Sequence, residues 1–231
     1  GPAIDYEHLS IGTGAAPAGL DVPGVVERAH AARPLGRVRA LIAALAAAPD
    51  GVRVAVVGGG TAGVEAAFAI RARLAARGSV ALLEAAPRLL PGRTAAAAEA
   101  ALRELRAAGI GVALGARVGA GEEGSLAVGF GAHVPAELAV WAGGVTAAPL
   151  GRDAGLASDE RGYVLVDGNL RSVSHPAIFA VGDAAALSEA PSAPKAGAYA
   201  VRQGPVLAKN LAALCTGRPL TRSYRPQHDQ L

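Results

Sequence analysis

Apolar and polar positions alternate most regularly between residues 52 and 114. Val52–Val57 is a nearly continuous β-branched run, as in a strand covered on both faces of a parallel sheet. Thr61–Arg77 and Thr94–Ala108 carry helical spacing and are closed by Gly78 and Gly109. Val80–Leu83, ending in Glu84, and Ile110–Leu114 read as two further strands. Strand, helix, strand, helix, strand is the alternation of a parallel α/β sheet. Upstream, Leu35, Val38, Leu41, Ile42 and Leu45 fall on one face of a helix over Leu35–Ala48, which Pro49-Asp50-Gly51 stops.

The flanks are less regular. Tyr6–Ile11 reads as a strand followed by a tight turn at Gly12-Thr13-Gly14, and Leu20–Arg33 as a connection with at most one helical turn. After Arg117, glycine-separated segments at Arg117–Ala120, Ser125–Phe130 and His133–Val140 suggest a small antiparallel meander leading into Trp141-Ala142-Gly143-Gly144. Tyr163–Val166 and Ile178–Val181 read as strands, the second followed directly by Gly182-Asp183. Lys195–Leu214 reads as a helix, and the polar tail from Thr216 to Leu231 as a surface segment.

Composition narrows the function classes. With 231 residues and 52% apolar content the chain can bury a core, built from Ala, Val and Leu because aromatics make up only 3%. The net charge of +3 is interspersed rather than clustered, which argues against nucleic acid as a partner. One cysteine, Cys215, excludes an internal disulfide; it reads as a small buried hydrophobe rather than a reactive thiol. His8, His30, His133, His175 and His228 lack ligand spacing, so no metal site is expected. The most hydrophobic stretch, Val52–Ile70, contains Arg53, Glu65 and three glycines, so it reads as strand plus helix rather than a membrane span. No secretory signal opens the chain, and the expected location is the cytoplasm. Gly1-Pro2 resembles a cleavage scar, so the chain reads as an internal fragment of a longer protein.

Gly58-Gly59-Gly60-Thr61-Ala62-Gly63 fits G-x-G-x-x-G in its required setting, after a strand and opening a helix. Gly58 makes the tight turn, Gly60 lets backbone approach a pyrophosphate, and Gly63 lets helix and strand pack closely. The pyrophosphate then sits on the amides of Thr61, Ala62 and Gly63 at the positive end of the helix. Glu84 ends the next strand, where the fingerprint expects an acid for the ribose hydroxyls of NAD; Arg88 nearby leaves some NADP tolerance open. The plainer reading is a tight βα turn with Glu84 a surface acid.

Three further pieces lie around this motif: Leu9–Gly14 (LSIGTG), Val140–Gly144 (VWAGG) and Gly162–Asp183 (GYVLVDGNLRSVSHPAIFAVGD). Together they resemble the pyridine nucleotide-disulfide oxidoreductase superfamily, the two-dinucleotide-binding flavoproteins. Pro194–Asn210 most resembles the flavin-facing helix of type II NADH:quinone oxidoreductase-like proteins, some of which occur with selenide, water dikinase. The resemblance implies a Rossmann-like NAD(H)-binding domain over 34–143 inserted in a partial FAD-binding domain of glutathione-reductase type, formed by 1–33 and 144–231. It implies FAD contacts at Gly12, Thr13, Gly14, Gly182, Asp183, Gly197 and Ala198. Asp183 would bond the ribityl chain, and the helix amides near Gly197 and Ala198 would face the flavin's pyrimidine edge. For NAD it adds Glu65, Gly143 and Gly144. A helix N-cap for Asp183 and a solvated acid for Glu65 remain open alternatives. The family reaction passes hydride from NADH to flavin and electrons onward to a small-molecule acceptor, with the chemistry supplied by the cofactors.

The family opens with its own glycine loop for FAD, and no counterpart precedes Gly1. The chain alone is therefore expected to bind NADH and to hold FAD weakly or not at all. The parent is expected to be an FAD-dependent NADH oxidoreductase acting on quinone or another acceptor. The alternatives are a disulfide or persulfide reductase of the same fold and a non-catalytic NAD-binding module. Any membrane contact of the full-length protein is expected to be peripheral, through segments outside this chain, and apolar faces left uncovered keep a homodimer open.

Overall fold

The computed structural model of the chain describes residues 3–129, 131–191, 193 and 195–226. Its described residues divide into two compact units. One spans residues 17–144; the other joins the residues up to 16 to those from 145 onward.

The 17–144 unit is built on a five-stranded parallel sheet in the order Ala29–Ala31, Leu138–Trp141, Val52–Val57, Gly78–Glu84, Gly111–Leu114. The inner strands are buried on both faces, which is why Val52–Val57 has almost no polar alternation. Helices Leu35–Ala47, Thr61–Leu74 and Ala95–Ala107 accompany it. The last is capped by Thr94, whose hydroxyl accepts from the Ala97 amide. Leu41, Leu45, Val54, Val56, Ile70, Leu74, Leu82 and Leu105 share one core. On the Leu35–Ala47 helix only Leu41 and Leu45 are buried; Leu35 and Ile42, expected on the same inward face, are exposed.

Two elements differ from the sequence reading. The Leu20–Arg33 connection contains the helical turn Val25–Arg28 and then Ala29–Ala31, an edge strand of the sheet. Three residues are too short for alternation to show. The boundary of the unit accordingly lies at 16/17 rather than 33/34, because residues 17–33 pack within it. The expected segment His133–Val140 is two strands: Ala132–Pro135 closes a three-stranded antiparallel meander with Val118–Glu122 and Ser125–Val128, and Leu138–Trp141 returns to the main sheet. Phe130 lies outside the described residues.

The corner between those two strands is tied down electrostatically. Glu137 accepts from the Arg53 amide and pairs with its guanidinium, and the Glu137 amide donates back to the Arg53 carbonyl. The hydrogen bonds from Arg53 hold the Glu137 carboxyl at a pKa of about 2, below its ordinary 4.5. A depressed carboxyl stabilises the fold above its ordinary value and loses that contribution as pH falls from 4.5 toward 2. Both side chains are about half exposed, so the effect is small. Glu137→Gln is expected to lower the melting temperature by about 2 °C or less at pH 7 and by less still at pH 2.5. Melting curves at the two pH values check this.

The second unit brings distant segments together. Leu9–Ile11 pairs in parallel with Ile178–Ala180, and Val164–Val166 with Ala185–Leu187. The Ala185–Leu187 strand was not expected, since three apolar residues directly after a turn carry no period. The helix Gly197–Cys215 is held to this unit by polar groups: its two buried residues are Gln203 and Asn210. Asn210 donates to the carbonyls of Asn169 (2.9 Å) and Arg222 (2.8 Å), and its own carbonyl accepts from the Arg222 amide. The tail is thereby strapped against the helix, and Tyr224 N reaches the Gly168 carbonyl at 2.7 Å. Cys215, expected buried, is exposed at the helix end. Residues 227–231, with His228, lie outside the described residues.

Candidate functional site

Parallel strands place all their C-terminal ends at one edge of a sheet, and ligands of open α/β sheets bind there. In the 17–144 unit that edge carries the loop after Val57, the end of Gly78–Glu84 and the turn after Trp141. The register sets Val57 beside Leu83, so Glu84 arrives opposite the loop.

The three fingerprint glycines stand in three different environments. Gly58 has φ +108°, and a β-carbon there would strike the Ala142 carbonyl. Gly63 packs so closely on the Gly58 carbonyl that a β-carbon has no room at all. Gly60 has ordinary extended backbone, and a β-carbon on it would meet nothing within 4 Å. The fold itself therefore does not require a glycine at position 60. The absent side chain leaves open the space in front of the helix that starts at Thr61. That helix has no side-chain cap, no acid in its first turn, and its first backbone bond runs from Val64 N to the Gly60 carbonyl. The amides of Thr61, Ala62 and Gly63 thus precede the helix's own hydrogen bonds, as an anion site requires. Glu65 is exposed one position past that first turn.

Glu84 is buried and has a second task. Its Oε2 accepts from the Gly59 amide and its Oε1 from the Ala86 amide. The carboxylate fixes the glycine loop as well as standing at the end of its strand; it is not a surface acid. Leu90 N reaches back to the Gly59 carbonyl at 2.8 Å, and buried Leu89 lies against Gly59. Arg88 Nη2 donates to the Arg93 carbonyl, beside this turn.

Gly143 and Gly144 follow the neighbouring strand. Gly143 lies against the Trp141 indole, as does Gly19, and the indole N–H donates to the Ala18 carbonyl at 2.7 Å. Gly144, with φ +105°, borders open space. Trp141 thus fixes the turn, a part its lone aromatic character in the sequence did not reveal.

In the second unit, Gly12 and Gly182 follow two paired parallel strands, Leu9–Ile11 and Ile178–Ala180. A cleft of about 170 Å³ opens at those ends, lined by Gly12, Gly14, Val181, Gly182, Asp183, Gly197 and Ala200. Five of the seven residues expected at the flavin are in that lining; Thr13 and Ala198 are not. The cleft is far smaller than a dinucleotide and accommodates only one end of such a molecule. Asp183 is buried in the short turn Gly182–Ala184, which leads into a strand, so it does not cap an α-helix. Gln203 Oε1 accepts from the Gly182 amide at 2.6 Å, tying the helix Gly197–Cys215 to the turn. Gly182 has φ +62°, and a β-carbon there would press on Ala200 at 3.1 Å. Reasoning from sequence missed Gln203: nothing local marks a glutamine inside a helix as the acceptor for a turn 21 residues away.

Residues 1–204 match the family model described as pyridine nucleotide-disulphide oxidoreductase. The chain is 32% identical over 184 residues to a type II NADH:quinone oxidoreductase of Haemophilus influenzae, covering 73% of this chain and 41% of that protein. It is 31% identical over 186 residues to a demethylphylloquinone reductase of Synechocystis, covering 78% and 46%. Among solved structures, an NAD-dependent persulfide reductase from A. fulgidus superposes with TM-score 0.79 at 25% identity over 95% of this chain and 41% of that one. The water-forming NADH oxidase of Lactobacillus brevis, bound to NADH, shares the fold with TM-score 0.80 at 24% identity, over 95% and 48%. The chain thus spans somewhat less than half the length of these relatives. Among the described residues no helix is long and apolar enough to cross a membrane. By the match across residues 1–204, the chain belongs to the pyridine nucleotide-disulphide oxidoreductase family.

Proposed function

We propose that this chain is the NADH-binding part, with one wall of the flavin site, of an FAD-dependent NADH oxidoreductase. Its acceptor is a quinone or a similar diffusible oxidant. The observation that carries the reading is the open side of Gly60, placed before an uncapped helix start and beside a strand ending in Glu84. The amides of Thr61–Gly63 would hold the pyrophosphate of NADH, and Gly143–Gly144 would border its nicotinamide half. Glu84 keeps lone pairs for ribose hydroxyls while it fixes the loop, since a carboxylate offers about four acceptor sites and uses two here. Bound FAD would supply the hydride-accepting chemistry, with electrons leaving to the acceptor. The residues of this chain would hold its ribityl chain (Asp183) and place the positive end of the helix Gly197–Cys215 at its pyrimidine edge. Two relatives matched over 73% and 78% of this chain carry quinone-type reductase names, which supports a quinone as acceptor.

The first test is the visible spectrum of the purified chain, followed by NADH titration. Flavin bands near one per chain that bleach with NADH support the oxidoreductase. Absent flavin with NADH binding retained identifies an NADH-binding part that needs a further segment. Absent NADH binding refutes the reading. Glu84→Gln is expected to lose stability and affinity together. Its amide nitrogen would face one of the backbone N–H groups that the carboxylate now satisfies, at about 1–3 kcal/mol. NADH affinity measured by calorimetry should fall about tenfold or more, with a lower melting temperature. An unchanged melting temperature would show that Glu84 acts on ligand only.

A further inference from the structure

The structure points to Lys195 as the fixed cation of the Gly182–Asp183 site. Its ammonium acts through that turn on the anionic edge of the group held in the adjacent cleft, and an arginine cannot replace it. The inference rests on the flavin reading above.

The first observation is compositional. Of the 22 basic residues in this chain only Lys195 and Lys209 are lysines, and Lys209 is exposed. Apart from Lys209, every other cation of this sequence is an arginine. Lys195 is half-buried, and its surroundings explain the exception. The ammonium lies 4.2 Å above the centroid of the Tyr163 ring and donates to the Ala185 carbonyl. The space left there is about 20 Å³, enclosed in part by Gly182, Asp183, Ala185, Tyr199 and Gln203. That is room for about one water. A planar guanidinium would have to displace the Tyr163 ring or the turn, whereas a compact ammonium fits between them.

The second observation is electrostatic. Burial is the main influence drawing the Lys195 pKa down, and Arg161, which also lies over Tyr163, adds to it; Asp159 and Asp183 oppose both. Two carboxylates therefore hold the charge on a partly desolvated ammonium. The third is positional. Gly182 and Asp183 line both this enclosure and the 170 Å³ cleft, so a single turn separates the ammonium from the cleft. The helix that begins at Gly197, two residues after Lys195, opens on the same cleft with no side-chain cap and no acid in its first turn. Ammonium and helix end act with the same sign on whatever occupies the cleft. Lys195 is a positioning residue here; it bonds Ala185, directly after the turn, and not the bound group.

The test uses FAD-loaded protein and sulfite, which adds to an oxidised flavin and places negative charge on its ring, so that its affinity reads the local potential. Lys195→Gln keeps a donor for the Ala185 carbonyl without the charge, and Lys195→Met serves if the glutamine variant does not fold. Either is expected to retain flavin and weaken sulfite binding about tenfold, a change that a purely structural role would not produce. Lys195→Arg is expected to lower the melting temperature despite keeping the charge. Sulfite affinity within twofold of wild type in the neutral variants overturns the inference and leaves the flavin reading intact. So does an arginine variant that matches wild type in both melting and sulfite affinity. A wild-type protein that takes up no flavin even from excess FAD overturns the inference and leaves the NADH-binding reading intact.

Discussion

Replacing Gly60 by alanine is expected to leave the fold intact and to weaken NADH binding, whereas the same change at Gly63 is expected to destabilise the fold itself. At Gly60 the backbone is extended and a methyl would enter open space. Folding stability should therefore stay within about 0.5 kcal/mol of wild type. The methyl would, however, stand where a pyrophosphate must approach the helix amides. A loss of two or three hydrogen bonds to a charged group corresponds to roughly a hundredfold or more in affinity. At Gly63 the methyl would collide with the Gly58 carbonyl, so helix and strand must separate. That overpacking costs about 3 kcal/mol. Thermal melting and NADH titration of the two single variants separate the effects. A Gly60→Ala protein that binds NADH like wild type would mean that the space before the helix is not the pyrophosphate site.

The second large effect is expected at Asn210. Asn210→Leu keeps the volume but orphans the Asn169 carbonyl and the Arg222 amide and removes one of two donors to the Arg222 carbonyl. Asn169 Nδ2 still reaches the Arg222 carbonyl, so part of the strap survives. The expected cost is about 3 kcal/mol, or roughly 6–10 °C in the melting of this unit. Proteolysis should then cut within residues 218–226 before the helix Gly197–Cys215 opens. Unchanged protection of that stretch would show that the tail is held by Tyr224 packing rather than by the amide.

The glycine loop could be read from sequence because each of its constraints is local: a turn, a close approach and a helix start lie within six residues. Glu84 was legible by spacing, but its bond to the Gly59 amide was not, since spacing says nothing of where a carboxylate folds back. Ala29–Ala31 was missed for a different reason. An edge strand of three residues takes its conformation from its neighbour, Leu138–Trp141, more than a hundred residues on. The burial of Gln203 and Asn210 escaped for the same cause. Polar residues inside a helix look solvated until the chain that needs their hydrogen bonds is brought alongside. Asp183 shows an intermediate case. The Gly-Asp pair marked the position, while the turn that carries it and the strand after it emerged only from pairing with Val164–Val166.

Trp141 is the only tryptophan in the chain, and its indole is buried, hydrogen-bonded and wedged between Gly19 and Gly143. Excitation selective for indole therefore interrogates one point of the molecule. Emission from a buried indole overlaps the absorption of reduced nicotinamide but not of the oxidised form. Resonance energy transfer from Trp141 would thus quench on NADH binding and recover on exchange for NAD⁺, which would make the indole an intrinsic optical reporter of the nicotinamide in the proposed site.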